Sequence, residues 1–399
     1  MAKMTLNDVD LKGKTVLMRV DFNVPIKNGV ISDDNRIVQA LKSIRFVVDA
    51  GAKLILTSHL GRPADAPDPE FSLKPVADHL ATLVDATVHF AEDCIGPDRD
   101  KAVAAAKPGE IVLLENVRFH KEEKKNDSEF AKKLSAGADL FVNDAFGSSH
   151  RAHASVSGVT EYLQPSVSGF LLEKEIRYLE GSVNNPNRPF VAILGGAKVS
   201  DKIGVIENLL SKVDSIIVGG GMTYTFYKAK GLPIGNSLVE EDKVGLAKEL
   251  LEKAEKAGVN FMLPFDSVVA KDFNNDAEHK VVDEDGIEDG WMALDIGPQS
   301  SIAFGNLIKQ ARTVVWNGPM GVFEMSNFAD GTFEVAKALA AATEEGATTI
   351  IGGGDSASAI KKAGLEDKVS HVSTGGGASL EYLEGKVLPG VAALTESEK

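Results

Sequence analysis

The sequence predicts an α/β fold of two doubly wound parallel-sheet lobes joined by a helix. Three observations support this prediction. The chain has 399 residues, enough for two domains of the usual size. Short apolar runs, turns rich in glycine, aspartate or asparagine, and amphipathic stretches alternate along it, a pattern typical of parallel sheets with helices on both faces. Turn-forming residues and two prolines are concentrated at residues 182–189, which favours a domain break there.

The apolar runs and the amphipathic patterns between them predict the individual elements in order. In the first half, strands are predicted at residues 15–20, 53–58, 87–90, 111–114 and 140–143, with helices that include 36–50 and 73–84. In the second half, strands are predicted at residues 190–194, 215–218, 261–263, 313–316, 348–351 and 371–373, with helices that include 241–257 and 331–345. A helix at residues 170–180 is expected to connect the two lobes.

Composition excludes several classes of protein. Hydrophobic residues make up 43% of the chain and charged residues 25%, no apolar run reaches the length of a membrane span, and residues 1–10 lack the apolar core of a signal peptide. We therefore expect a soluble cytoplasmic protein. The net charge of −15 argues against general binding to nucleic acid or anionic membranes. Cys94 is the single cysteine, which excludes an intrachain disulfide and favours a buried, apolar role.

Glycine clusters follow four predicted strands of the second half, at residues 195–196, 219–221, 352–354 and 375–377, and a fifth strand ends in Asn317-Gly318-Pro319. A bare backbone before a helix suits phosphate oxygens, although a single such turn is more often only a tight connection. Together they suggest a nucleotide polyphosphate. Neither a P-loop nor a dinucleotide-binding fingerprint occurs.

Three kinds of charged residue could serve such a nucleotide. Lys198 and Lys202 would share one helix face if a helix begins near Lys198. Two cations near a helix N-terminus suit a phosphate ligand. The alternative is a pair of solvated lysines. Asp355 is either a helix cap or a magnesium ligand. Glu324 could accept ribose hydroxyls or be a surface acid.

Cationic side chains follow the predicted strands of the first half. Seven of the ten arginines precede residue 154. Arg36, His59, Arg62, Arg118 and Arg151 would all reach one edge of a parallel sheet, which favours a site for a small molecule with more than one negative group.

Eight segments, spread over essentially the whole chain, closely resemble the phosphoglycerate kinase family. The segments are RVDFNVP at 19–25, SHLGRP at 58–63, ENVRFH at 115–120, NDAFGSSHRAH at 143–153, GGAKVSDK at 195–202, WNGP at 316–319, GGGD at 352–355 and STGGGA at 373–378. The resemblance implies reversible transfer of the 1-phosphoryl group of 1,3-bisphosphoglycerate to MgADP, giving 3-phosphoglycerate and MgATP.

The resemblance also implies domains and roles for particular residues. The lobe at 1–168, with 385–399 packed back on it, would bind phosphoglycerate; 169–185 would be the hinge helix and linker, and 186–384 the nucleotide lobe. The substrate ligands would be Asp21, Asn23, Arg36, His59, Leu60, Gly61, Arg62, Arg118 and Arg151. The nucleotide ligands would be Lys198, Lys202, Gly219, Asn317, Glu324, Gly353, Gly354, Asp355 and Ser356, with Asp355 on Mg²⁺.

Transfer between an acyl phosphate and ADP needs no general base, so catalysis is expected from alignment and charge stabilisation by Arg36, Lys198 and the backbone N–H groups of Gly354 and Gly377. Separate lobes that close around their ligands would keep water from the acyl phosphate. The family resemblance points to a monomer. Ser356 stands where many members have threonine, and Ala293 replaces a common glycine. Two alternatives are a dinucleotide-dependent enzyme and a two-lobed nucleotide- or anion-binding protein without turnover.

Overall fold

A computed structural model describes residues 3–397 and confirms the predicted fold class, with two six-stranded parallel sheets. The described residues form two compact units. The first extends to Ile176 and resumes at Val387, and the second is Arg177–Lys386. The boundary falls within the helix Phe170–Asn184, which reaches into the stretch predicted as a break. Residues 1, 2, 398 and 399, part of the predicted first lobe, lie outside the described residues.

The first unit contains one central parallel sheet, a small hairpin and the helices that cover the sheet. Its strands are β1 Thr15–Arg19, β2 Ile26–Lys27, β3 Val30–Ile31, β4 Lys53–Thr57, β5 Val88–Ala91, β6 Ile111–Leu114, β7 Leu140–Asn143 and β8 Ser166–Ser168. Its helices are α1 Asn35–Asp49, α2 Lys74–Leu83, α3 Pro97–Ala105, α4 Lys121–Lys124 and α5 Ser128–Ser135, followed by α6 Phe170–Asn184. The strand order is β5-β6-β4-β1-β7-β8.

Successive side chains of β1 point to opposite faces of the sheet, and both faces are covered by an apolar core. Val16 and Met18 belong to one apolar core and Leu17 to the other, and all three are fully buried. Helix α1 places Ile37, Ala40, Leu41, Ile44 and Val47 on one buried stripe at the spacing of helical turns. Strands buried on both faces read as continuous apolar runs, which is why the sequence located them well.

The chain returns to the first unit at its C-terminal end. Gly390 N donates to Ser149 O at 2.8 Å, and Asn143 Nδ2 donates to Gly390 O at 2.9 Å. Met4 N donates to Thr395 O at 2.9 Å. The end of the described chain is therefore bonded into the first unit beside β7.

The second unit has its own parallel sheet, in the order β11-β10-β9-β15-β16-β17. Its strands are β9 Phe190–Leu194, β10 Ser215–Val218, β11 Asn260–Met262, β12 Asp266–Ala270, β13 His279–Asp283, β14 Met292–Ile296, β15 Thr313–Asn317, β16 Thr348–Gly352 and β17 His371–Val372. Its helices are α7 Ile203–Leu209, α8 Thr223–Ala229, α9 Val244–Ala257, α10 Pro298–Gln310, α11 Asp330–Glu344, α12 Gly354–Lys362 and α13 Gly376–Leu383; α14 Pro389–Ala392 belongs to the first unit.

Strands β12, β13 and β14 form an antiparallel sheet that the sequence analysis did not predict. The helix predicted from residue 241 begins at Val244, after a 3-10 turn at Glu241–Lys243. The described helices include none long and apolar enough to cross a membrane.

Candidate active site

The carboxyl ends of four adjacent strands, β6, β4, β1 and β7, lead into the residues predicted to bind an anion in the first unit. The four strands run parallel, so their following loops emerge at one edge. Asp21 and Asn23 follow β1, His59 follows β4 and Arg118 follows β6. Arg36 reaches the same loops from the first turn of α1. The fold thus brings residues from distant parts of the sequence together.

Arg36 is held by the loop that follows β1. Its Nη1 lies 3.0 Å from Asp21 Oδ1 and donates to Asn23 O at 3.1 Å. The Arg36 side chain is 36% exposed, whereas that of Asp21 is 12% exposed. Both contacts use the terminal nitrogen Nη1. The other terminal nitrogen, Nη2, has no acceptor among the described residues and can therefore face a ligand.

The backbone of Gly61 is fixed by two of the predicted ligands. Gly61 N donates to Asn23 Oδ1 at 2.8 Å, and Arg118 Nη1 donates to Gly61 O at 2.8 Å. Gly61 has a φ of 62°, and a Cβ there would lie 2.3 Å from Phe71 Cδ1. Asn116 Nδ2 donates to Leu60 O at 2.7 Å, so the peptide groups of this loop are held in place. Leu60 contributes backbone, and its side chain is buried.

Arg19 is a site residue whose role the sequence analysis missed. It ends β1 and is 1% exposed, and its Nη2 lies 3.0 Å from His59 Nδ1. Burial lowers the pKa of His59 well below its ordinary value, and Arg19 and then Arg118 lower it further. His59 is therefore neutral and accepts from Arg19 through Nδ1. Arg19 is the last residue of an otherwise apolar strand, and this position was the sequence signal that could have indicated its role beside His59.

Glu123 is the buried counter-charge behind Arg19. It is completely buried and accepts from Ser155 N at 2.9 Å and from Ser155 Oγ at 2.6 Å. Ser155 Oγ in turn accepts from Arg19 Nε at 2.8 Å. His153 Nδ1 is 3.8 Å from Glu123 Oε1, yet burial, followed by Arg19 and Arg118, lowers the pKa of His153 to about 4. Burial and the surrounding cations together thus outweigh this one carboxylate.

Positive charge exceeds negative charge in this cluster. Arg62 is exposed and acts electrostatically on Arg118, and Arg151 is exposed and acts on His153. Burial also lowers the pKa of Arg118, whose Nε is buried without a protein acceptor. Five guanidinium groups with two carboxylates and two neutral imidazoles suit a small molecule carrying more than one negative charge.

In the second unit, three of the glycine turns pack against one another. Gly195 N donates to Asn317 O at 2.9 Å, and Gly220 N donates to Met320 O at 2.8 Å. A Cβ at Gly318 would lie 2.2 Å from Gly195 O, and one at Gly220 would lie 2.5 Å from Gly196 O. The expectation that all of these turns present bare N–H groups to phosphate is therefore wrong for Gly195 and Gly220. Their N–H groups donate to the end of β15 and to the loop that follows it.

Lys198 and Lys202 do not share a helix face, which corrects the sequence-based expectation. Helix α7 begins at Ile203, and Lys202 is its N-cap residue. Lys202 is buried, and its Nζ donates to Asn317 Oδ1. Burial lowers the pKa of Lys202, while Asp201 and Asp355 oppose the shift. Lys198 lies exposed in the preceding loop, and within the described chain it makes no hydrogen bond or ion pair.

Two glycine turns do present free helix starts. Helices α12 and α13 begin after Gly353 and Gly375, and neither start has a side-chain cap. A Cβ at Gly376 would lie 3.1 Å from Gly354 N, so the two starts are adjacent. The first N–H groups of a helix lack internal acceptors, which directs those of Gly354 and Gly377 toward an anion.

Asn317 faces the same turn. Its Nδ2 is buried without an acceptor, and a Cβ on Gly353 would lie 3.2 Å from that nitrogen. An orphaned buried donor normally has a partner in the functional state. The Lys202–Asn317 pair therefore adds a cation and an amide donor to the two helix starts.

The other predicted nucleotide ligands differ in exposure. Asp355 and Glu324 are exposed. Ser356 is completely buried, and its Oγ accepts from Gly318 N at 2.6 Å, so it links two turns. Gly219 is buried and donates to Leu194 O at 3.0 Å, and a Cβ there would lie 2.5 Å from Met320 Sδ. The roles of Ser356 and Gly219 as nucleotide ligands stay predictions.

Comparison with known proteins gives one family. Residues 6–386 match the profile of the family described as phosphoglycerate kinase. The phosphoglycerate kinase of Chloroherpeton thalassium is 59% identical over 397 residues, which cover all of both chains. The cytosolic phosphoglycerate kinase of Triticum aestivum is 58% identical over 394 residues and 98% of each chain. The solved structure of phosphoglycerate kinase from Coxiella burnetii has a TM-score of 0.91, 42% identity and 98% coverage of each chain.

Proposed function

The chain belongs to the phosphoglycerate kinase family, and we propose that its first unit binds the phosphoglycerate and its second unit binds the nucleotide in that family's reaction. The reaction is reversible transfer of the 1-phosphoryl group of 1,3-bisphosphoglycerate to ADP, which yields 3-phosphoglycerate and ATP. The observation that carries the assignment is the pair of adjacent, uncapped helix starts beside Lys202 and Asn317.

In the first unit, the guanidinium cluster is the proposed receptor for 3-phosphoglycerate, which carries a carboxylate and a phosphate. Arg62, Arg118 and Arg151 supply charge. Neutral His59 supplies a ring nitrogen, Nε2, for a hydrogen bond, since Nδ1 is occupied by Arg19. Asp21 and Asn23 orient Arg36 and Gly61 and are suited to the substrate hydroxyl.

In the second unit, the N–H groups of Gly353, Gly354 and Gly377 with Lys202 and Asn317 are the proposed phosphate contacts. Exposed Glu324 is the proposed acceptor for ribose hydroxyls. Lys198 is exposed and has no partner among residues 3–397, so its ammonium group can follow a phosphate without first breaking an ion pair there. This freedom supports its assignment to the phosphoryl group in flight.

Asp355 fits Mg²⁺ as one ligand among several. Its carboxylate is exposed at the first turn of α12. Mg²⁺ commonly takes one or two carboxylates and completes its octahedron with waters and substrate phosphates, so a single aspartate in a phosphate site suffices. When bound, the ion would neutralise phosphate charge. Asp355 would hold it, while Lys202 and the helix starts hold the phosphate oxygens.

The chemistry asks for no general base. In the direction of ATP formation an oxygen of the ADP terminal phosphate forms a bond to phosphorus as the bond from phosphorus to the acyl oxygen breaks, and the electron pair leaves with the carboxylate of 3-phosphoglycerate. Negative charge is spread over the transferred group, so Arg36, Lys198 and the N–H groups of Gly354 and Gly377 stabilise it electrostatically.

A coupled assay tests the proposed function. Purified protein is given ATP, magnesium and 3-phosphoglycerate, and 1,3-bisphosphoglycerate is detected by NADH oxidation with glyceraldehyde-3-phosphate dehydrogenase. We expect turnover that requires all three additions. A folded sample that binds ATP without turnover would instead support the alternative, a nucleotide- and anion-binding protein.

The division of substrates between units has its own test. Asp355→Asn should raise the KM for MgATP at least tenfold and leave the KM for 3-phosphoglycerate within about twofold, because it touches only the proposed nucleotide site. Asp367→Asn is the control, since Asp367 is an exposed acid of the same unit in a 3-10 turn after α12. Equal changes in both KM values for Asp355→Asn would contradict the division.

A monomeric state and a cytoplasmic location complete the proposal. The wheat relative is named cytosolic, which supports the location. Light scattering of the purified protein should give a mass close to the 42.4 kDa of one chain. Cell fractionation of the source should recover the activity with cytoplasmic enzymes. A mass of twice the chain or more would overturn the monomer.

A further inference from the structure

A cluster of three side chains outside both proposed substrate sites has the composition of a transition-metal site. Asp93, Cys94 and His120 each place one ligand atom within 4.8 Å of the other two. Among the described residues it is the only such group of three or more histidine, cysteine, aspartate or glutamate side chains. The family reaction assigns it no role.

The three residues come from two separate connections of the first unit. Asp93 and Cys94 lie between β5 and α3, and His120 lies between the 3-10 turn Val117–Phe119 and α4. His120 Nε2 is 2.7 Å from Asp93 Oδ1. The Cys94 thiol lies beside this pair, with its sulfur within 4.8 Å of both ligand atoms.

We propose that Asp93, Cys94 and His120 form a binding site for a divalent transition-metal ion of the zinc type, with a water molecule as the fourth ligand. Thiolate, imidazole and carboxylate are the three ligand types that Zn²⁺ accepts, and three protein ligands plus water is a common arrangement. Mg²⁺ prefers oxygen ligands throughout, so it does not suit this set.

The distances allow such an ion with small movements. Tetrahedral zinc places its ligand atoms about 3.3–3.7 Å apart, given metal–ligand bonds of about 2.0–2.3 Å. The 2.7 Å contact between His120 and Asp93 would widen by about 0.6 Å as the ion replaces the shared proton. The separations of up to 4.8 Å would contract by about 1 Å. Binding also releases the proton of the Cys94 thiol.

The surroundings give the cluster a buried side and an open side. Cys94 is fully buried and packs in the apolar core that includes Leu114 and Phe130. The side chain of Asp93 is 41% exposed and that of His120 is 26% exposed, so an ion can enter past them. Cys94 N donates to Asp93 Oδ1 at 2.6 Å, which fixes the carboxylate beside the Cys94 backbone.

Burial raises the pKa of Cys94 well above its ordinary value, and Asp93 and Glu123 raise it further. A thiol in this place is inert without an ion, because its thiolate would be buried beside carboxylates. A dication offsets that repulsion, since thiolate, carboxylate, neutral imidazole and the ion together carry no net charge. The cluster is thus suited to a metal and poorly suited to redox chemistry.

The ion would cross-link the connection after β5 to the segment that carries Arg118. Only Phe119 separates Arg118 from His120 in the sequence. Arg118 Nη1 donates to Gly61 O, so the segment anchored by His120 also positions the loop after β4. An occupied site would therefore stabilise the proposed phosphoglycerate-binding surface without touching the ligand.

Titration of the full chain with Co²⁺ in the absence of nucleotide tests the proposal. Cobalt replaces zinc and gives a thiolate-to-metal absorption band in the near ultraviolet. Because Cys94 is the chain's only cysteine, no other side chain can produce the band. We expect one cobalt per chain, loss of the band on addition of Zn²⁺ and its persistence in millimolar Mg²⁺. A folded wild-type protein that shows no band at saturating Co²⁺ overturns the proposal.

Variants identify the other two ligands. His120→Gln and Asp93→Asn should each weaken cobalt binding at least tenfold while circular dichroism shows a folded chain. Asp355→Asn is the control and should leave the band unchanged, since Asp355 lies in the second unit. A band of unchanged affinity in both His120→Gln and Asp93→Asn would show a thiolate binding metal without the cluster and would overturn the site.

Discussion

Arg19 Nη2 lies 3.0 Å from His59 Nδ1, and both side chains are buried at the carboxyl end of the first sheet. The imidazole is neutral because burial and the neighbouring arginines oppose its protonation. Glu123 balances the arginine through Ser155. The site thus retains a high density of fixed positive charge from its arginines, to which neutral His59 adds none.

The same buried, cationic environment predicts that His153 makes the folded protein less stable in acid. Its folded pKa of about 4 lies below its ordinary value of 6.5. Between these values the unfolded chain binds a proton that the folded chain does not, so this residue's contribution to stability is lost as pH falls from about 6.5 toward 4. When the pH is lowered from 7.5 to 5, the free energy of unfolding measured in urea should therefore fall less for His153→Gln than for wild type.

The control for this pH effect is His279→Gln, at an exposed histidine of the second unit. Its loss of stability on acidification should equal that of wild type. If His153→Gln and wild type lose the same stability, His153 does not have the lowered pKa. Nuclear magnetic resonance of the His153 ring should show a titration midpoint of about 4.

Arg36→Ala should lower kcat about 100-fold or more and leave the KM for MgATP nearly unchanged, because Arg36 is proposed to stabilise charge that develops during transfer. Arg45→Ala is a matched control on the same helix, where Nη2 of Arg45 donates to Leu83 O outside the cationic cluster. Arg45→Ala should retain the wild-type kcat. Steady-state assays in both directions distinguish the two, and an unchanged kcat in Arg36→Ala would remove Arg36 from the catalytic group.

Gly61→Ala should destabilise the protein and raise the KM for 3-phosphoglycerate. Positive φ costs an alanine about 1–2 kcal/mol, and the added Cβ would lie 2.3 Å from Phe71 Cδ1. Gly51→Ala is the control, since Gly51 also has positive φ, of 78°, but a Cβ there meets no atom within 4 Å. In urea unfolding, Gly61→Ala should lower the free energy of unfolding by at least about 1 kcal/mol more than Gly51→Ala does. Equal losses would mean that Phe71 moves aside freely.

The parallel strands could be located from the sequence because burial on both faces leaves continuous apolar runs. In the antiparallel sheet, β13 was missed because it is mostly exposed and has no such run. Strands β12 and β14 are mostly buried, but each contains an aspartate, Asp266 and Asp295, that shortens its apolar run. The β2–β3 hairpin was also missed, although Asn28-Gly29, with both residues at positive φ, is a strong hairpin turn signal.

The site was only partly accessible to sequence reasoning. Strand ends located the cations, since parallel strands bring their carboxyl ends to one edge. The start of α7 was misplaced because the glycine turn at 195–196 continues through an irregular loop to Ile203 before helical bonding begins. The Lys202–Asn317 contact joins residues 115 positions apart, and local spacing carries no information on such a pair.

The two lysines of that loop should separate binding and stability from catalysis. Lys202→Met removes the buried donor to Asn317 Oδ1 and should destabilise the protein by about 1–3 kcal/mol, because a buried acceptor loses its partner. It should also raise the KM for MgATP. Lys198→Met should stay within about 0.5 kcal/mol of wild type, because Lys198 is exposed and without partners in the described chain.

Lys198→Met should nevertheless lower kcat about 100-fold, since its ammonium group is proposed to meet the transferred phosphoryl group. Urea unfolding and steady-state kinetics on both variants provide the comparison. Lys198→Arg keeps the charge and should recover part of the lost kcat, a rescue that a merely structural residue would not show. If Lys198→Met retains kcat while Lys202→Met loses it at unchanged KM, the two roles are reversed and Lys202 is the lysine that acts on the transferred group.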